Sequence, residues 1–508
     1  MPDNLQQRGV ALLVFTLSLV LVIPTVGLAI DAGILYAIRA KLSAAADAAA
    51  LAAGRSLSVG LTLAEQEASA VNRARAFFHA NFPDGYLGSR NKRVSIQVAE
   101  TAYRTRTVTV EAAVDAPSYF MRLLGFGMVT VRARGQASRR DVNVMLVLDR
   151  SGSMANSGAC EPMKAAARQF VSQFANGRDR LGLITYGVTY LLAYPPQQNF
   201  KTSSPSLEQV ISQITCSGGT GMAQALWQAY QQLVAINEPG ALNLIVLFTD
   251  GLPNGITASF PIKTKTDTRY GYGADGYTST STLYSMEPSP CLDADGDRYD
   301  RRPGQSSSTY GPPNWNPYWS PANKVGAIAA VGNATASRGY TYGIFNTTAI
   351  SINQPNETAI ADHNGCRFAS SVAYVRRDIA YIPDYDLYGN PTRGYTPVEV
   401  FPSGPYAGKI RPDTPSSVGK ASRNAVDNAA QRIRDDDHIN PIIYTIGLGD
   451  PTGADPPDEV LMRRISNDPA SPIYDPTEPP GLYVFAPDKT QLNLAFARVA
   501  SEILRLAQ

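Results

Sequence analysis

The longest uninterrupted apolar run stands near the start of the chain. From Val10 to Ile30 the sequence reads VALLVFTLSLVLVIPTVGLAI, without a charge and bounded by Arg8 and Asp31. A helix needs about 20 apolar residues to cross a bilayer. A cleavable signal peptide has a shorter core, about 7–15 residues, followed by small residues at the cleavage site. The run therefore predicts a transmembrane anchor with Pro24 tolerated inside it. The next stretch, GILYAIRAKLSAAADAAALAAGRSL, is rich in good helix formers and predicts that the helix continues to near Gly54. Its alanines, among them Ala45, Ala46, Ala49 and Ala50, suit either close packing on a small-residue face or helix propensity alone.

Beyond residue 55 the pattern turns polar and amphipathic in TLAEQEASAVNRARAFFHANF, a predicted helix. Three alternating runs follow, RVSIQVAE, RTVTVEAAVDA and MVTVRARGQAS, with the period of two expected of half-buried strands. Residues 55–140 thus read as a small α+β domain without a catalytic set, and His79 in it as a surface or core residue. At Val142 the pattern changes again. Val144–Leu148 is continuously apolar, as in a central parallel strand covered on both faces. LGLITYG, ALNLIVLFTDG, NPIIYTIGLG and GLYVFAP repeat that signature between helix-like runs. Strands alternating with helices predict an α/β domain of doubly wound, Rossmann-like type over residues 141–508.

Bulk composition changes this picture little. Lys plus Arg number 45 against 43 Asp plus Glu, so charge gives no reason to expect nucleic acid as partner. A chain of 508 residues is long enough for two or three folded units. No P-loop and no G-x-S-x-G occurs, and no nucleophile–base pair is evident, so an enzyme is not expected. Catalytic residues: none are nominated.

Candidate chemistry gathers at the predicted strand ends. Asp149, Ser151 and Ser153 form D-x-S-x-S after one central strand, Asp250 follows another, and Thr220 sits in a Gly-rich loop that opens a helix. In doubly wound sheets the ligand site lies beyond the carboxyl ends of the strands. Carboxylate and hydroxyl oxygens, without thiol or imidazole, suit a hard divalent cation: Mg2+, Mn2+ or Ca2+. Few anionic groups would touch the metal directly, which leaves it electrophilic toward a carboxylate on a protein partner.

These motifs carry two resemblances. "DRSGSM", "GGTGM" and "FTDGLPN" resemble the von Willebrand factor A (VWA) family. The resemblance extends over about 141–255 and 417–508, and it implies that Asp149, Ser151, Ser153, Thr220 and Asp250 make a metal-ion-dependent adhesion site. RGVALLVFTLSLVLVIPTVGLAIDAGILYAIRAKLSAAADAAALAA resembles the N-terminal segment of TadE/TadG-like Flp (Tad) pilus-assembly proteins, over about 50 residues. That resemblance implies an anchor in the bacterial inner membrane, single-pass, with a periplasmic or surface-exposed C-terminal body. Type IV pilins carry Glu five residues beyond their processing Gly; here, counting from Gly9, that place is Val14, which argues against prepilin processing.

Between about 255 and 417 lies a stretch rich in Tyr, Pro, Gly and Asn, predicted to be a long irregular insertion. It leaves the domain just after Asp250, where it would cap the site or be a tolerated surface addition. Trp315, Tyr318 and Trp319 in it suit a mini-core or an aromatic binding patch. Asp293, Asp295 and Asp297 resemble the start of a calcium loop, with the Gly at 296 and no Glu at the twelfth place; a second calcium site and a solvated acidic turn both fit. The four cysteines, Cys160, Cys216, Cys291 and Cys366, allow three pairings. Cys160 and Cys216 flank the predicted metal loops, and Cys291 and Cys366 share the insertion, so 160–216 with 291–366 is the favoured pattern. The expected architecture is an anchor (1–54), a small domain (55–140) and the VWA domain (141–508). The expected function is Tad pilus assembly or adhesion, with pilus components or a host surface as partners. A non-pilus envelope scaffold is the alternative.

Overall fold

The computed structural model describes residues 3–261, 323–331, 340–353, 357–360, 379–412, 414–449 and 456–507. The expectations for Cys291, Cys366, Asp293, Asp295, Asp297, Trp315, Tyr318 and Trp319 lie outside them. The chain divides into two compact units, one of residues 1–141 with 175–177 and 504–508, the other of 142–174 with 178–503.

In the first unit a single long helix, α1 (Asp3–Ser56), includes a stretch that is apolar enough and long enough to cross a membrane. Helix α2 (Leu63–Asn81) starts at a capping box, with the Glu65 amide donating to the Thr62 hydroxyl and the Thr62 amide to the Glu65 carboxylate. Strands β1 (Arg90–Ala102), β2 (Thr105–Pro117) and β3 (Met128–Arg140) make an antiparallel sheet in the order β1-β2-β3. One core joins helices and sheet: Ile38, Leu42, Ala46 and Ala50 of α1 meet Ala74 and Phe78 of α2 and Val108, Val110 and Val114 of β2. The alanines therefore serve close packing. A Cβ on Gly135 of β3 would stand 2.5 Å from the Ala46 backbone, so helix and strand touch main chain to main chain. The division expected at residue 54 cuts through this core.

The second unit is built on β4 (Val142–Asp149), buried along its whole length. After it come α3 (Gly152–Asn156), α4 (Cys160–Ser172), β5 (Arg180–Tyr186), β6 (Tyr190–Gln197), α5 (Leu207–Ser212), α6 (Met222–Ile236) and β7 (Leu242–Thr249). Then follow β8 (Gly255–Phe260), β9 (Lys324–Val331), β10 (Tyr340–Phe345), α7 (Pro415–Arg434), β11 (Ile442–Leu448), α8 (Glu459–Ile465), β12 (Leu482–Ala486) and α9 (Leu492–Leu506). The main sheet runs β12-β11-β7-β4-β5-β6, parallel except for the edge strand β6. Helices cover both faces: α6, α7 and α8 pack on Met145, Val147 and Ile245, while Phe170 of α4 and Phe496 of α9 meet near Phe248. From β4 the chain steps to β5 on one side and later to β7 on the other. The crevice beyond the carboxyl end of β4 is the switch point where such sheets bind ligands.

Two elements depart from the sequence reading. β6 carries Pro195 and Pro196, which disguise it; an edge strand tolerates them because no neighbour needs their amides. The stretch from about 255 to 417, expected to be an irregular insertion, contributes a three-stranded antiparallel sheet, β10-β9-β8, whose apolar residues Ile256, Phe260, Ile328 and Ile344 form a core with Ile379, Ile382 and Val418. The run KVGAIAAV of β9 is too short among its Gly, Pro and Tyr-rich flanks to announce itself.

Candidate functional site

The carboxyl ends of β4 and β7 lie side by side because the two strands pair in parallel up to Leu148 and Phe248. Asp149 and Asp250 therefore emerge as neighbours, and both are buried. Each oxygen of Asp149 is held: the Ser151 amide donates to Oδ1 at 2.8 Å and the Thr249 hydroxyl to Oδ2 at 2.7 Å. The Ser153 hydroxyl donates to Asp250 Oδ1 at 2.7 Å, Ser151 Oγ lies 3.5 Å from the same oxygen, and the two serine oxygens are 2.8 Å apart. The side chains of Ser151, Ser153 and Asp250 thus form one hydrogen-bonded group, and Asp149 joins it through the Ser151 amide. Ser151 is buried and Ser153 is exposed, so the group opens to solvent on the Ser153 side.

Thr220 is brought to this group through backbone. The Gly152 amide donates to the Gly218 carbonyl at 2.9 Å, which joins the Thr220 loop to the D-x-S-x-S turn. On its other side Thr220 donates its amide to Asn254 Oδ1 at 2.6 Å, and the amides of Asn254 and Gly255 return to the Thr220 carbonyl at 3.1 Å each. Glycine is required at 221, because a Cβ there would collide with the Val188 carbonyl. The Cys160–Cys216 disulfide is present, with Cα atoms 6.2 Å apart. It ties the start of α4 to the loop in which the Ser217 amide donates to the Arg150 carbonyl at 2.6 Å.

Electrostatically the site is governed by burial and by the closeness of its two carboxylates. Burial raises the Asp149 carboxyl above its ordinary range. Burial, then the neighbouring Asp149, pushes Asp250 up to about 8. The guanidinium of Arg150, next in sequence to Asp149, is directed elsewhere: its Nη2 meets Glu357 Oε1 at 3.2 Å. Two buried carboxylates with convergent hydroxyls fit a hard divalent cation, which would discharge the repulsion that now favours protonation. Asp149, Ser151, Ser153, Thr220 and Asp250 are the residues that would hold it.

Three participants escaped the sequence reading. Thr249 signals itself only as the residue before Asp250, and its hydroxyl bridges Asp149 and the Gly251 carbonyl. Asn254 lies in the motif GLPN but takes its role through Thr220. Glu357 belongs to the insertion, yet its carboxylate accepts from Arg150 and from the amides of Val188 at 2.9 Å and Thr189 at 3.4 Å. No local pattern could have announced it.

Residues 144–252 match the von Willebrand factor type A domain family, and residues 9–56 match the Flp pilus-assembly TadE/G-like family. A curated relative, calcium-activated chloride channel regulator 3A-1 of Mus musculus, is 31% identical over 128 residues, covering 24% of this chain. The chain spans 14% of that protein's length. Among solved structures, the PilB minor pilin of Streptococcus sanguinis aligns over 82% of this chain and 79% of its own at 11% identity, with a TM-score of 0.33. The vWF domain of the type V pili tip protein Mfa5 of Porphyromonas gingivalis aligns over 73% of this chain and 98% of its own at 17% identity, also with a TM-score of 0.33. By its two family matches, the chain joins a TadE/G-like Flp pilus-assembly segment at its N-terminus to a von Willebrand factor type A domain.

Proposed function

We propose that this is a membrane-anchored envelope protein of Tad-type pilus assembly or adhesion. Its VWA domain grips a divalent cation through Asp149, Ser151, Ser153, Thr220 and Asp250, and through that cation a carboxylate of a protein partner. The observation that carries this reading is the pair of buried carboxylates, Asp149 and Asp250, at the switch point of the sheet, with the Ser151 amide on the first and the Ser151 and Ser153 hydroxyls gathered at the second. The cation supplies a Lewis-acidic point for an incoming carboxylate. The side chains set its charge balance, because only two carboxylates offset it while the hydroxyls add none. The apolar part of α1 acts as the anchor, in the inner membrane, and the VWA domain stands on the periplasmic or outer side.

The test uses the full chain in detergent, immobilised and offered envelope extract with Mg2+, with Mn2+, with Ca2+ or with chelator. The expected result is capture of a partner that chelator and Asp149→Ala abolish alike. Capture that persists under both would move recognition off the cation and overturn the reading.

A further inference from the structure

The loop between β2 and β3 is built in an unusual place. It runs from Ser118 to Gly127 and is closed on itself: the Ser118 amide donates to the Gly127 carbonyl, the Ser118 hydroxyl to the Phe126 carbonyl, and the Phe126 amide to the Met121 carbonyl. Asp31 fastens it to α1. This carboxylate is fully buried and accepts the amides of Tyr119 at 2.8 Å, Phe120 at 2.9 Å and Met121 at 2.6 Å. Four residues earlier on the same helix, Gly27 lies under the Phe120 ring, and a Cβ there would collide with it.

Depth follows from this contact. Gly27 belongs to the charge-free run Val10–Ile30, and four residues of helix span about 6 Å. If that run lies in lipid, the Phe120 ring stacked beside Gly27 lies in lipid too. The loop presents further apolar side chains to the outside: Tyr119 is 51% exposed, Phe126 58% and Met128 46%. On the helix, Val26, Leu28 and Ile30 are apolar and exposed as well. Arg122, exposed on the same loop, supplies a cation of the kind that seeks phosphate at the headgroup level. Aromatic side chains with a cation beside them are the composition that settles at a membrane interface.

We propose that the Ser118–Gly127 loop, with Met128 at the start of β3, is a second membrane-contact element, an interfacial wedge that enters the phospholipid boundary beside the C-terminal end of the apolar run of α1. It rests on the reading of that run as a membrane anchor. Asp31 then acquires a definite role. Its charge sits at the membrane edge at tolerable cost because three loop amides satisfy it, and the same bonds hold the wedge at its depth.

The full chain is reconstituted into vesicles of phosphatidylcholine and phosphatidylglycerol, with or without bromine on the acyl chains near the headgroups. Emission is compared for Phe126→Trp, for Leu28→Trp on the helix, and for Tyr103→Trp in the β1–β2 turn, each corrected for the unsubstituted chain. The inference expects brominated lipid to quench Phe126→Trp to an extent similar to Leu28→Trp, and to leave Tyr103→Trp unquenched. Quenching of Leu28→Trp without Phe126→Trp would overturn the wedge and leave the loop to a protein partner. Loss of quenching at Leu28→Trp would instead remove the anchor reading beneath it. Equal quenching at Tyr103→Trp would mean that the chain lies on the surface indiscriminately, which also overturns the wedge.

Discussion

If Asp250 holds a cation as proposed, a proton and that cation compete there for the same oxygen atoms. Without cation its folded-state carboxyl is raised to about 8, whereas in the unfolded chain it returns to the ordinary range near 4. Between those values the folded state holds a proton that the unfolded state does not, so stability is greatest at the acid end of the window and falls as pH rises toward about 8. A cation reverses that slope, since it needs the ionised carboxylate and expels the proton. In chelator the melting temperature of the VWA domain should therefore drop between about pH 6 and about pH 8, and added Mg2+ should raise it more at the upper pH. Titration calorimetry in buffers of different ionisation enthalpy should register proton release on binding at about pH 7. A cation effect of the same size across the window, without proton release, would mean that Asp250 is not displaced from its proton by the ion.

Among the elements, legibility followed periodicity. Central strands β4 and β7 are continuous apolar runs, and their ends delivered Asp149 and Asp250 at the level of the sequence. The Thr220 loop was marked by its glycines, one of which is obligatory at 221 for want of room. Glu357 was invisible for a physical reason: it reaches Arg150 across more than two hundred residues, from a segment without amphipathic period. The pair matters because both side chains are buried, and a charge left alone in that setting is costly. Glu357→Ala should lower the stability of this unit by roughly 3–5 kcal/mol in denaturant unfolding. The double variant Arg150→Met, Glu357→Leu should recover a good part of that loss, because neither charge is then stranded. Additive losses in the double variant would show that the two side chains act independently, and the segment around Glu357 would not be tied to the loop after β4 through them.

For the whole molecule the decisive feature is that each compact unit has its own core, one around α1, α2 and β2, the other around the parallel sheet. A chain of this kind need not unfold in a single step, and a ligand held by one unit stabilises that unit by mass action. At a cation concentration about 100 times the dissociation constant the gain is about 2.7 kcal/mol. Amides of β4 and β7 that exchange only when the sheet opens should then slow by about 100-fold. Those of β1 and β2, in the other unit, should exchange at an unchanged rate. Hydrogen-exchange mass spectrometry on the full chain reads both sets at once, and Asp149→Ala should erase the first effect without touching the second. Equal slowing in the two units would mean that they open together and that the cation stabilises the chain as one body. Slowing confined to β1 and β2 would put the cation somewhere other than the switch point of the sheet, and the assignment of Asp149 and Asp250 would fall with it.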